Sequence, residues 1–209
     1  ACFSEFGAEV ICVDVDRAKI DRLNRGEIPI FETGLEELVL RNRKEGRLLF
    51  QTDTMEAVSR SDLVFIAVGT PERRGDGAAD LQYVFQAARD VAKGIQKFTV
   101  VVTKSTVPVG TGEKVARIIR EENPGDDFEM ASNPEFLREG AAIEDFMNPD
   151  RVVIGVESER AAQVLKNLYR PLYRSETPIL ITNIATAELT KYAANAFLAT
   201  KITFINQLA

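Results

Sequence analysis

The chain has no histidine, only two cysteines, and no apolar run long enough to cross a membrane. Each shortage excludes something. Without imidazole, any proton transfer falls to carboxylates, amines, hydroxyls or thiols. Two cysteines do not make a disulfide scaffold. Cys2 and Cys12 both lie in apolar surroundings and read as reduced core residues of an intracellular protein. No secretory pattern is present, so the expected location is cytoplasmic, with no membrane partner. The net charge of −6, with both signs spread along the chain, leaves no basic face for nucleic acid but does leave room for a local cationic pocket. No metal-ligand set is assigned.

What is present is ordinary globular composition. Of 209 residues, 45% are hydrophobic and 28% charged, enough for one large domain or one domain and part of another. The chain lacks an initiating methionine and opens on residues 1–6, which read as the tail of a helix. It closes inside the apolar-periodic run 188–209. Both ends are expected to continue.

Strands and helices alternate throughout. Continuous apolar, β-branched runs at Glu9–Asp14, Asp62–Val68, Phe98–Thr103, Phe128–Ser132, Arg151–Val156 and Ile179–Thr182 read as buried strands, with a short one at Leu48–Gln51. Helical patterns fall at Arg17–Gly26, Gly34–Gly46, Asp80–Gly94, Thr111–Glu122 and Ser158–Tyr173, and a further helix is expected to start at Asn133-Pro134-Glu135. The expected fold class is α/β: a doubly wound, Rossmann-like, mostly parallel sheet with helices on both faces, followed by a long helix from about Ala185. The expected division is residues 1–183 as the nucleotide domain, lacking its first strand and glycine loop, and 184–209 as the start of a central helix. The apolar positions Leu189, Tyr192, Ala196, Ala199 and Phe204 of that helix keep helical spacing and suit a partner subunit.

In an open α/β sheet ligands sit beyond the carboxyl ends of strands. Asp14 ends the first strand, where an acid would hydrogen-bond ribose hydroxyls and repel a 2′-phosphate; the plain alternative is that Asp14 or Asp16 caps the next helix. Arg17 could line the adenosine end or be a solvated helix residue. Gly69-Thr70-Pro71 and Lys104–Thr111 are strand exits, with Thr70 and Thr106 available to a ligand and Thr111 expected to cap the following helix. Asn133 and Pro134 suit the cap and first position of a helix, which would put Glu135 and Glu139 on one face with Arg138 between them. Lys191 and Asn195 lie one helical turn apart and could stabilise an oxyanion. The plain alternative for Lys191 is a surface pair with Glu188, whereas Asn195, in an apolar run, reads as a buried amide that needs a partner.

Taken in order, Val13-Asp14-Val15-Asp16, Gly69-Thr70-Pro71, Asp80-Leu81, Lys104–Thr111, Asn133–Gly140, Pro149-Asp150-Arg151 and Glu188–Ala196 resemble the UDP-glucose 6-dehydrogenase family of nucleotide-sugar dehydrogenases along the whole chain. The resemblance implies NAD-dependent oxidation of a sugar C6 alcohol to a carboxylate, with two NAD⁺ per sugar, through a cysteine thioester. It implies that Asp14, Thr70 and Thr106 contact NAD, with Arg17 near the adenosine and Glu139 near the nicotinamide. Thr106 and Glu139 would act around the hydrolytic water, and Glu135 would be the general base for thioester hydrolysis. Lys191 and Asn195 would bind the oxyanion, and Phe136, Leu137 and Arg138 would line the sugar-nucleotide site. The nucleophilic cysteine belongs to a part not in this chain, and neither Cys2 nor Cys12 matches it. The chain alone is therefore expected to give no sustained turnover. GDP-mannose or a UDP-N-acetylhexosamine is the alternative substrate, and a non-catalytic NAD-binding module the alternative of another class. The implied assembly is a homodimer through the long helix.

Overall fold

A computed structural model describes residues 1–75, 77–125 and 127–209, without the side chains of 173–175. In chain order the elements are α1 (Cys2–Glu5), β1 (Val10–Val13), α2 (Arg17–Asn24), α3 (Leu35–Lys44), β2 (Leu48–Gln51), α4 (Thr54–Arg60), β3 (Leu63–Ile66), α5 (Gln82–Gly94), β4 (Thr99–Thr103) and α6 (Thr111–Glu122). There follow β5 (Phe128–Ser132), α7 (Ala142–Met147), β6 (Val152–Val156), α8 (Glu159–Leu168), a 3₁₀ turn at Arg170–Ser175, β7 (Ile179–Thr182) and α9 (Ile184–Leu208).

The strands form a five-stranded sheet in the order β3-β4-β5-β6-β7 and a separate parallel pair, β1-β2. Every pairing is parallel except the short antiparallel contact of β5 with β6. β4 shows why the sheet is buried on both faces. Its side chains alternate, so Val101 joins α5 and α6 residues such as Val84, Ala88, Val115 and Ile119 on one face. Val100 and Val102 join Ile154, Ala161, Leu165 and Tyr169 on the other. The expected α/β class and the strand runs hold. The expected single sheet divides in two.

Three local expectations change. The segment after β5 is not helical: residues 133–138 run irregularly and the helix begins only at α7. The Asn133 amide is drawn inward instead of capping, and the Arg138 and Gly140 N–H groups go to Asp145 and Glu32 rather than to a helical turn. Thr111 is not the cap of α6. Gly110, at φ 87°, takes that place, and the Thr111 hydroxyl donates to the Pro108 carbonyl at 2.6 Å. α5 starts at Gln82, whose N–H is accepted by Asp80 at 3.0 Å.

α9 is anchored by its first turns. Gly155 of β6 lets it approach, because a Cβ there would lie 2.6 Å from the Ala187 Cβ and 2.8 Å from the Asn183 carbonyl. Glu188, 2% exposed, accepts the Gly110 and Gly112 N–H groups at 2.7 Å each. Beyond that turn the helix presents Leu189, Phe197, Leu198, Ile202, Phe204 and Ile205 as exposed side chains. No helix among the described residues is long and apolar enough to cross a membrane.

Candidate active site

The carboxyl ends of β3, β4 and β5 lie side by side, and the loops leaving them build the site. The β3 and β4 exits are tied together: Ser105 Oγ donates to the Val68 carbonyl at 2.6 Å, and Thr70 Oγ1 donates to the Thr106 carbonyl at 3.0 Å. They enclose a cleft of about 390 Å³ lined by Ala67–Thr70, Lys104–Thr106 and Glu135. A Cβ added to Gly69 would meet nothing within 4 Å, so the space over this backbone is open. A second cleft, of about 530 Å³, is lined by Asn133–Arg138, Glu144–Phe146, Asn148–Val152, Tyr169 and again Lys104. Lys104 and Glu135 thus share both clefts.

Asn133 organises the seam. It is 1% exposed, donates from Nδ2 to the Val153 carbonyl at 2.8 Å, and accepts the Tyr169 hydroxyl at 2.5 Å. The Lys104 ammonium reaches the Asn133 carbonyl and Oδ1 at 3.4 and 3.5 Å. Burial pushes this ammonium down to about 8, with Glu135 pulling it up and Lys191 pushing it further down. Burial likewise raises the Tyr169 hydroxyl well above the usual range for a phenol, against the bond to Asn133. Glu135 Oε2 is buried without a hydrogen-bond partner among the described residues. Such an orphan acceptor is costly unless a guest satisfies it.

Around the second cleft, the Phe136 ring meets two cations, Arg151 at 4.6 Å and Lys191 at 5.4 Å from its centroid. This brings Lys191 from α9 toward Glu135 and Lys104, and the surface pair with Glu188 does not form because Glu188 is spent on α6. Arg138 pairs neither with Glu135 nor with Glu139. Its backbone N–H and guanidinium all bond Asp145, the latter at 3.0 and 2.7 Å. Glu32, from the loop before α3, accepts the Gly140 and Ala142 N–H groups at 3.0 Å each and so holds the start of α7 from across the chain.

Several expectations are corrected here. Glu135 and Glu139 share no helix face: Glu135 lines the clefts, while Glu139 is exposed in the turn before Gly140. Asn195 is exposed, not a buried amide. Asp16 caps α2 by accepting the Lys19 N–H at 3.1 Å, which leaves Asp14 at the strand end, bonded to the Asp16 N–H at 3.0 Å and to the Lys19 ammonium at 2.5 Å. Asp14 and exposed Arg17 line neither cleft. Cys2 and Cys12 also stand apart from the clefts, and burial raises both thiols. Sequence reasoning assigned no role to Lys104, Tyr169, Arg151 or Glu32. The available signal for Lys104 was a lysine set directly behind a wholly buried strand.

A parallel sheet with paired clefts at the carboxyl ends of adjacent strands is the arrangement of a Rossmann-like α/β domain that holds its ligand beyond the strand ends. The sequence profile of the UDP-glucose/GDP-mannose dehydrogenase family NAD-binding domain matches residues 1–173, and that of the family's central domain matches residues 185–209. A UDP-glucose 6-dehydrogenase of Rhizobium meliloti (strain 1021) is 61% identical over 210 residues, which is 100% of this chain and 48% of that protein. A UDP-glucose dehydrogenase from the hyperthermophilic archaeon Pyrobaculum islandicum has a similar structure, with a TM-score of 0.95 at 48% identity over 99% of this chain and 48% of its own. A GDP-mannose dehydrogenase from Pseudomonas aeruginosa, solved as a ternary complex, gives a TM-score of 0.93 at 40% identity, over 98% and 48%. The chain belongs to the UDP-glucose/GDP-mannose dehydrogenase family and carries its NAD-binding domain. It spans about half the length of the curated relatives it matches.

Proposed function

We propose that this chain is the NAD-binding part, with the front of the central helix, of a cytoplasmic UDP-glucose 6-dehydrogenase that oxidises the sugar C6 alcohol to a carboxylate. The observation that carries the reading is the seam at which Lys104 and Glu135 line both clefts, within a chain 61% identical throughout to a protein of that name. In this reading residues 1–183 form the cofactor domain and 184–209 open the central helix.

The residues suit the cofactor. The open space over Gly69 admits a flat ring or phosphate, and Asp14, free of capping duty, can accept ribose hydroxyls while repelling a 2′-phosphate. Bound NAD⁺ would supply the hydride acceptor. Arg17 would flank the adenosine, and Thr70 and Thr106 would border the ring. Phe136, Leu137 and Arg138 would line the sugar nucleotide, with Arg138 acting through its backbone because its guanidinium is held by Asp145. Glu135 would accept the proton of the alcohol and later of the water that releases the acid. Lys191 would stand by the developing oxyanion. Glu139 and Asn195, exposed here, are assigned to the same site by the family motif, Glu139 near the nicotinamide and Asn195 beside Lys191. The cysteine of the thioester lies outside this chain.

The test is NADH formation by the polypeptide that contains this chain, with UDP-glucose, GDP-mannose and UDP-N-acetylglucosamine compared at equal concentration. UDP-glucose should be preferred, and NADP⁺ should not replace NAD⁺. Glu135→Gln should lower turnover about 10²–10⁴-fold, as expected for a lost general base, with NAD⁺ affinity retained. Turnover unchanged in Glu135→Gln would remove Glu135 from that role, and NAD⁺ binding with no NADH formed from any of the three sugar nucleotides would favour a non-catalytic NAD-binding module. The exposed apolar side chains of α9 further suggest a homodimer, which light scattering would report as twice the monomer mass.

A further inference from the structure

Lys104 is an ammonium with three donors, set into the wall between two clefts. Among the described residues its hydrogen bonds all go to one residue, Asn133, at 3.4 and 3.5 Å, near the outer limit for such bonds. Glu135 lines the same two clefts with a buried oxygen that has no hydrogen-bond partner among the described residues. An under-used donor and an orphan acceptor at one seam call for a guest that both accepts and donates. A carboxylate or phosphate offers only acceptors, and a bare carbonyl cannot satisfy Glu135. A hydroxyl does both.

We propose that Lys104 is a further residue of the reaction centre, and that Lys104 and Glu135 together hold one hydroxyl group at the seam, the ammonium donating to its oxygen and the carboxylate accepting its proton. This deepens the proposed function and rests on it, since there the hydroxyl is the C6 alcohol or the water that follows it. The other charged groups facing the seam fit that reading. Lys191, from α9, and Arg151 both stand over the Phe136 ring, at 5.4 and 4.6 Å from its centroid. Tyr169 is committed to Asn133, and Asp145 to Arg138. The Phe146 ring, with its centroid 6.0 Å from the Lys104 ammonium, offers it a π face but no hydrogen-bond acceptor.

The test is a binding cycle without oxidation. Dissociation constants for UDP-glucose and for its 6-deoxy analogue are measured by calorimetry, in the absence of NAD⁺, on the polypeptide that contains this chain. The native protein should prefer UDP-glucose by roughly tenfold or more, as a hydrogen bond to a charged group warrants. Lys104→Met should abolish that preference, and Lys104→Gln, which keeps a donor, should restore part of it. A preference that survives in both variants would overturn the proposal. Equal affinities in the native protein would assign the hydroxyl to water. In that case the Lys104 ¹⁵Nζ titration midpoint must move equally from its free-protein position with either nucleotide, and an unmoved midpoint would overturn the proposal. Failure of the native protein to bind either nucleotide would instead overturn the substrate reading on which this one stands.

Discussion

The Asn133 amide serves three neighbours at once, giving one hydrogen bond to Val153 and taking others from Tyr169 and Lys104. Each neighbour is buried or partly buried, so none can turn to bulk water if the amide is removed. Asn133→Ala should therefore cost about 1–3 kcal/mol for each group left unsatisfied, read as a fall in melting temperature. It should also weaken sugar-nucleotide binding, because Lys104 loses its anchor. A melting curve unchanged from the native protein would show that water replaces the amide. Candidate residues with short-range signals were legible in the chain: Glu135, Thr70 and Thr106 follow strands and line a cleft. Asn133 was misread because a cap and a core amide look alike in a sequence. What separates them is the position of Tyr169, 36 residues away.

At the level of elements, the join between α6 and α9 sets where Lys191 stands. Glu188 takes the two N–H groups at the start of α6 that would otherwise face an anion or water. Burial raises its carboxyl, and the two N–H bonds pull it back. A carboxyl whose folded value is raised binds protons more readily in the native than in the unfolded state. Its contribution to stability is therefore greatest at low pH and declines as pH rises from about 4.5 through the raised value. Glu188→Gln should flatten that decline in the Tm-versus-pH curve. It should also lower stability by about 1–2 kcal/mol at neutral pH, because an amide can accept from only one of the two donors well. A slope that is the same in both proteins would exclude Glu188 as its source. The helices and strands themselves were legible because their apolar periods are local. The expected helix at Glu135 was not, because Arg138 and Gly140 give their N–H groups to Asp145 and Glu32 rather than to a helical turn.

For the whole molecule, the decisive approach is α9 across β6. Gly155→Ala would drive a methyl group to 2.6 Å from the Ala187 Cβ, where both partners are backbone-fixed and little can yield. The expected loss is about 1–3 kcal/mol, as for other overpacked sites. It should appear as a lower urea midpoint, together with weaker turnover because Lys191 shifts with its helix. A midpoint unmoved by the substitution would mean that α9 is free to slide. The α/β class, the order of strands and helices, and the two strand-exit loops follow from runs of apolar residues and their breaks, which act over a few positions. The turn of Asn133 into the core, the use of Glu188 to bind α6, and the sharing of both clefts by Lys104 and Glu135 depend on residues tens of positions apart. Those pairings are fixed by which buried polar groups find partners once the sheet has closed, and no local pattern encodes that.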